Sequence, residues 1–399
     1  MSSTGSLRAW HYRTRAPVEV AWADGVFTRV EPTTREPDGD AWIAPGLVEL
    51  QVNGYGGINF RDDRVGAAEL TVAVRRLRRD GCSRLLVTIT TDHWPALMER
   101  LRCLREARAG SAELRAAIAG WHIEGPFLSE VPGFIGAHPP ERTCDPTPER
   151  IRELRAVTGD DPVLLTLAPE RRGAIDAIRL ATALGIRVAI GHADPPLAVL
   201  RAAVEAGAVA VTHAGNGIPQ ALDRHDNILW RILETPGLTL GVIPDTVHVS
   251  PALFRIFHRL VDAGRIYYTT DAVHPAGMPP GRFLIGATEM EVGEDQVVRK
   301  PGATNFAGSA ARPLECLFRA VDMLGCAWQD AWARYSHVPA DLMGLGELMA
   351  PGRQADLCVL DGVGGDAGVV RTYAGGVLCS TLPARARLRG ALLTHDAHG

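Results

Sequence analysis

The chain has 399 residues, of which 46% are hydrophobic and 22% charged, and its formal net charge is −4. That length is enough for a large core and suggests one big domain plus a smaller one, while the near-balanced charge excludes the basic footprint of a nucleic-acid or membrane-surface binder. Lys300 is the only lysine and sits in no P-loop or Schiff-base motif, which excludes both chemistries.

In chain order, residues 6–44 read as short strands and turns punctuated by Pro, Gly and Asp. From residue 45 short apolar runs alternate with longer, Arg-rich amphipathic stretches. The runs are Leu47–Val52, Arg84–Ile89, Gly120–Ile123, Val163–Leu167, Arg187–Ile190, Ala208–Val211, Thr239–Ile243 and Ile266–Thr269. Stretches between them, such as Ala67–Asp80 and Pro196–Ala206, carry apolar residues at helical spacing. Eight such repeats predict a (β/α)8 barrel. Helical text follows at Pro313–Leu324 and Trp328–Arg334, then strand-like segments at Ala355–Leu360 and Val369–Leu378. The expected organisation is a barrel over residues 45–345 and a small β-sandwich domain formed by residues 1–44 and 346–399.

Seven cysteines are scattered with no CxxC, which predicts free thiols in a reducing compartment. The start of the chain has no apolar leader and no run reaches about 18 apolar residues. The expectation is a cytoplasmic protein acting on a small molecule, with neither membrane nor nucleic acid as partner.

Polar residues gather just past the apolar runs, where barrel active sites lie. Gln51 and Asn53 follow the first, Glu124 the third and Glu170 the fourth; His192 follows the fifth, His213 the sixth, Asp245 and His248 the seventh, and Asp271 the eighth. A hydrolytic metal site needs about three protein ligands and an open position for water. Glu124, His192 and His213, each beside glycine in HIEGP, IGHAD and VTHAGNG, can supply them. Asp271, in TTDAVHPAG, could take a proton from water and pass it to a leaving amine. His138 in the loop after Glu124 could polarise a carbonyl or bind a hydroxyl, and Asn216, Gly217, Arg224 and His248 are candidate ligand contacts.

At these residues the sequence resembles N-acetylglucosamine-6-phosphate deacetylases of the amidohydrolase superfamily. The resemblance runs from about Pro45 to Asp361 through APGLVELQVNGYGG, HIEGPFL with GAHPPE, LAPE, GHAD, THAGNG, PDTVHV, TTDAVHPAG, AGSA and GRQADLCVLD. It implies the barrel with a β-sandwich, a homodimer and removal of an acetyl group from an N-acetylamino sugar, N-acetylglucosamine 6-phosphate first. Where many amidohydrolases carry HxH and a bridging lysine, this chain has Gln51-Val52-Asn53 and no barrel lysine. The resemblance therefore implies one divalent metal per subunit, zinc first with Fe, Co or Mn as alternatives. Its ligands would be Glu124, His192 and His213, with Gln51 and Asn53 at a vestigial or supporting position. Asp271 would be general base and acid, and His138 would polarise the acetyl carbonyl. His248, Asn216 and Gly217 would contact the sugar phosphate, and Arg224 would reach the partner subunit's substrate. Two departures stand out. Gly217 and Ile218 replace the family's Ala-Met, and His225-Asp226-Asn227 replaces its Pro-Gly turn. A relative acting on a different or non-phosphorylated N-acetyl sugar is the alternative, and a non-catalytic sugar-phosphate-binding barrel is the rival from another class.

Overall fold

The computed structural model describes residues 3–37, 39–285, 288–302, 306–362 and 368–383. Its centre is an eight-stranded parallel sheet: β1 (Leu47–Val52), β2 (Cys82–Thr90), β3 (Ile118–Glu124), β4 (Val163–Leu167), β5 (Arg187–Ile190), β6 (Ala208–Val211), β7 (Thr239–Val242) and β8 (Ile266–Tyr268). Each strand pairs with the next in sequence, and helices such as Ala67–Arg79, Pro148–Thr158 and Leu197–Glu205 lie between them. This is the expected (β/α)8 barrel, in near-closed form. The strands are almost wholly buried, as parallel strands covered on both faces must be.

Inside, Val48, Leu50, Leu86, Leu164, Ala189, Ala210 and Tyr267 form one buried cluster with Ala340, Met343 and Leu348 of the following segment. Small residues on β5 and β6 face the large Tyr267. Gly241 on β7 makes room for that ring, because a Cβ there would lie 2.5 Å from the Tyr267 hydroxyl oxygen.

Between β1 and β8 there is no strand ladder, only a bridge from Val52 to Ala272. Asn53 N–H donates to the Ala272 carbonyl at 2.7 Å. The fully buried Glu49 does the rest. Its carboxylate accepts from the Thr269 hydroxyl, from the Thr270 N–H and hydroxyl, both at 3.0 Å, and from the Tyr335 hydroxyl at 2.6 Å. One β1 side chain thus ties the first strand to the last and to the helix Trp328–Tyr335.

Both chain ends build a second, seven-stranded sheet from Gly5–His11, Pro17–Ala23, Val26–Pro32, Trp42–Pro45, Leu357–Asp361, Val369–Ala374 and Val377–Pro383. The single run expected over Val369–Leu378 is two antiparallel strands. Gly375 and Gly376 have φ of +53° and +71° and turn the chain between them. A four-stranded antiparallel sheet, Gly281–Ile285, Thr288–Val292, Val297–Arg299 and Phe306–Ser309, follows β8 and was not anticipated. Among the described residues no helix is long and apolar enough to cross a membrane.

Candidate metal centre

Glu124 ends β3, while His192 and His213 each stand two residues past β5 and β6. The chain leaves its strand through a left-handed residue at both histidines, with φ of +51° and +30°, and again at Asp271, with φ of +51°. Non-glycine residues rarely adopt that conformation, and the strain is tolerated where the surrounding structure fixes it. Here it turns three side chains toward one point.

Nε2 of His213 lies 3.0 Å from Oε1 of Glu124 and 3.1 Å from Nε2 of His192, and the third edge, His192 Nε2 to Glu124 Oε1, is 3.4 Å. All three side chains are buried, and among the described residues this is the group that could hold a metal ion. The geometry fits one. Ligands placed tetrahedrally about 2.05 Å from a zinc-sized ion are about 3.3 Å apart. The protonation pattern fits as well. Nδ1 of His192 lies 2.9 Å from the Phe134 carbonyl, which can only accept, so Nδ1 carries the proton. In the neutral ring Nε2 then points a lone pair at a buried carboxylate oxygen, a repulsive pairing unless a cation lies between them.

The His192 ring is held between two backbones. A Cβ on Gly136 would lie 2.8 Å from its Cε1, and one on Gly217 2.8 Å from its Nδ1. Gly217 thus packs against the His192 imidazole, and its lack of a side chain leaves that ring its space.

Supporting groups close around the triad. Gln51 Nε2 donates to Glu124 Oε1 at 3.0 Å, and Asn53 Nδ2 donates to Asp271 Oδ1 at 2.7 Å. Both amides serve as hydrogen-bond donors to carboxylates. The His138 ring packs edge-on against His192 with centroids 4.5 Å apart. Its Nδ1 lies 2.8 Å from the Thr91 hydroxyl and its Nε2 4.0 Å from Glu124 Oε1. His248 Nδ1 pairs with Asp245 Oδ2 at 2.5 Å.

Burial and charge act on these groups in opposite senses. Burial works to raise the Glu124 carboxyl, but the imidazoles of His192 and His213 that face it pull it well below the usual carboxylate range. Asp271 is raised to about 7, by burial first and by the Glu124 charge second. Burial and the adjacent His192 lower His138 to about 3, so its ring is neutral near pH 7. Burial would raise Asp245 and lower His248, yet their mutual attraction holds Asp245 down and His248 up, as an ion pair.

The structure therefore brings together Glu124, His192, His213, His138, Asp271, Gln51, Asn53 and His248. Asn216 stays close, its Nδ2 3.3 Å from the His213 carbonyl. Arg224 is different: it is exposed, and its guanidinium makes no hydrogen bond or ion pair with a described residue. Glu170 does not join the triad; its Oε1 accepts the Asp194 N–H at 2.8 Å. The sequence reading passed over the end of β2, where Thr91 holds His138 and Asp92 binds Arg142 at 2.8 Å. The signal was present, since Thr91 and Asp92 are the polar residues after the one strand whose end had been assigned none.

No protein-family model matches the sequence. An N-acetylglucosamine-6-phosphate deacetylase of Danio rerio is 31% identical over 333 residues, spanning 80% of this chain and 80% of that protein. An N-acetylgalactosamine-6-phosphate deacetylase of Escherichia coli O157:H7 is 29% identical over 351 residues, spanning 85% and 89%. Among solved structures, an Asp-to-Ala variant of the Mycobacterium smegmatis N-acetyl-D-glucosamine-6-phosphate deacetylase, in complex with N-acetyl-D-glucosamine-6-phosphate, superposes with a TM-score of 0.82. It is 29% identical, and the match covers 95% of this chain and 100% of that one.

Proposed function

The chain belongs to the N-acetylglucosamine-6-phosphate deacetylase family, and from that premise we propose that it hydrolyses the acetamide of an N-acetylamino sugar 6-phosphate, releasing acetate and the free amine. N-acetylglucosamine 6-phosphate is the preferred substrate. The observation that carries the reading is the triangle of Glu124, His192 and His213, whose lone pairs converge on one buried point.

Glu124, His192 and His213 would hold a divalent cation, zinc first with Fe, Co or Mn suited to the same N and O donor set, and it would supply Lewis acidity to the attacking water. Asp271 accepts the proton of the water molecule whose oxygen adds to the acetyl carbon. Asn53 holds Oδ1 of Asp271, which leaves Oδ2 for the transfer. The raised pKa of Asp271 suits it to both halves of the task, since a carboxyl titrating near neutrality can take the proton and return it to the departing nitrogen. His138 Nδ1 lies 2.8 Å from the Thr91 hydroxyl, and in the tautomer protonated at Nε2 the ring presents that hydrogen to the acetyl oxygen, where negative charge develops. Gln51 fixes the Glu124 carboxylate.

His248, Asn216 and Gly217 line the side of the site assigned to the sugar phosphate. A homodimer is supported by the exposed Arg224 and by Trp230, 48% exposed beside it, whose Nε1 donates to the Arg224 carbonyl at 3.4 Å. A cytoplasmic setting is supported by seven free cysteines. The 4-epimer, N-acetylgalactosamine 6-phosphate, is the second reading, favoured by the Escherichia coli relative.

The test is acetate release from the two sugar phosphates and from free N-acetylglucosamine by metal-replete protein, with metal content measured in parallel. Release from N-acetylglucosamine 6-phosphate with the highest kcat/KM is expected. A metal-loaded protein that releases no acetate from any of them would overturn the reading.

A further inference from the structure

Between His213 and the helix Ile228–Glu234 runs a segment, residues 214–227, with no helix or strand of its own. Its near end carries Asn216 and Gly217, the contacts assigned to the sugar phosphate. Gly217 lies against the His192 ring, where a Cβ would come within 2.8 Å of Nδ1. Two residues on, Pro219 meets the loop after β3 so closely that a Cβ on Gly133 would lie 2.6 Å from the Pro219 Cβ. Such contacts are individually small and without direction, so they do not by themselves hold a segment in register.

The directional bonds come at the far end. Asp223 Oδ1 accepts the N–H groups of His225 and Asp226 at 2.7 and 3.0 Å, and Asn227 Nδ2 donates to the Asp223 carbonyl at 2.7 Å. Asn227 Oδ1 then caps the helix, accepting from the Leu229 and Trp230 N–H groups at 3.0 and 3.3 Å. One turn into that helix, Arg231 reaches in two directions. Its Nε donates to Asp226 Oδ1 at 2.6 Å, and its Nη1 to Asp194 Oδ1 at 2.8 Å and to the Pro195 carbonyl at 3.0 Å. Asp194 and Pro195 follow His192 past β5, and the Asp194 N–H is itself held by Glu170 at 2.8 Å. Three bonds from one planar group, whose side chain is 13% exposed, fix a geometry that a single exposed ion pair would not.

The His192 turn has fastenings of its own. Its carbonyl accepts the Ser129 N–H at 3.0 Å, and its Nδ1 lies 2.9 Å from the Phe134 carbonyl. The candidate metal site and the segment 214–227 are thus secured separately.

We propose that Arg231 is a positioning residue for substrate binding: it ties the segment bearing Asn216 and Gly217 to Asp194 and Pro195, and so sets how far the phosphate contacts stand from the candidate metal site. The inference rests on the deacetylase reading for the identity of the ligand. Arg231 acts through the segment and touches no substrate.

The experiment compares wild type with Arg231→Gln, Arg231→Lys and Asp226→Ala. Acetate release is measured from N-acetylglucosamine 6-phosphate and from free N-acetylglucosamine. Elemental analysis, calorimetric titration with inorganic phosphate and backbone hydrogen exchange accompany it. In Arg231→Gln, KM for the phosphorylated sugar should rise about tenfold, the size of one lost charge-assisted hydrogen bond, and phosphate affinity should fall with it. Its kcat, metal content and KM for the neutral sugar should stay within about twofold of wild type. Exchange should quicken over residues 217–227 and stay slow at Ser129. Arg231→Lys keeps the charge without the planar fork and should recover part of the loss. Asp226→Ala removes the arm that is 73% exposed, so it should fold as wild type does and raise the same KM about threefold. An equal change on both sugars, loss of metal, or an unchanged KM and phosphate affinity in Arg231→Gln overturns the proposal. Should Arg231→Gln not fold, the same outcomes in Asp226→Ala decide it. If wild type releases acetate from neither sugar, the deacetylase reading fails. The phosphate titration and the exchange pattern then still decide whether Arg231 positions the segment.

Discussion

Two glutamates in this barrel are equally removed from water and behave in opposite ways. Glu49, at the seam between β1 and β8, is surrounded by neutral donors: two threonine hydroxyls, a backbone N–H and a tyrosine hydroxyl. These only partly offset the desolvation of its charge, and its pKa stays raised at about 7. Glu124, at the rim, pays the same desolvation, yet His192, His213 and His138 face it and its pKa falls well below the usual range. Burial alone therefore says nothing about a carboxylate's role. The partners do: neutral donors make Glu49 a clasp, and imidazoles make Glu124 a candidate ligand.

The sharpest way to break this contrast is to neutralise each glutamate. Glu124→Gln should strip bound metal and lower kcat/KM by roughly a thousandfold or more, with the apo protein's melting temperature little changed; unaltered metal stoichiometry by elemental analysis would show that Glu124 is no ligand. Asp271→Asn should keep the metal and lose about a thousandfold in kcat, and near-normal turnover in that variant would remove Asp271 from the chemistry. Glu49→Ala should do the reverse of Glu124→Gln. It strands the donors of Thr269, Thr270 and Tyr335, and is expected to cost about 3 kcal/mol of stability with metal content and kcat preserved in the folded fraction; urea unfolding measures this.

A smaller effect follows from pH. The Glu49 pKa is higher in the folded chain than its ordinary value of 4.5, so the folded state binds the extra proton. Stability should then fall as pH rises from about 4.5 to about 7 and level off above it. In Glu49→Gln this component of the slope should vanish, and an identical pH profile in both proteins would show that Glu49 is ionised throughout. Smallest is Thr91→Val, which should lower kcat about tenfold by freeing the His138 tautomer and leave the metal in place.

Much of the barrel was legible in the sequence because a strand covered on both faces is a short continuous apolar run. Leu47–Val52, Val163–Leu167, Arg187–Ile190 and Ala208–Val211 match their observed spans, and the other four barrel strands differ by one or two residues at one end or both. The metal triad was legible for a related reason, since Glu124, His192 and His213 interrupt that apolar text at equivalent places. What could not be read was pairing at a distance. Glu49 is one acid in an apolar run, and its partners Thr269 and Tyr335 lie 220 and 286 positions away. Thr91 is 47 positions from His138. The small sheet after β8 was missed because its strands are only three to five residues long, too short for alternation to register.

The side-chain clasp at the seam also orders events during synthesis. Once residue 213 has left the ribosome, a nascent chain possesses all three residues that could hold the metal. It lacks Asp271, the partner of Asn53, until β8 emerges, and it lacks Tyr335, the last donor to Glu49, for some sixty residues more. The residues of the proposed metal site are thus all synthesised before the residues that close the barrel around them.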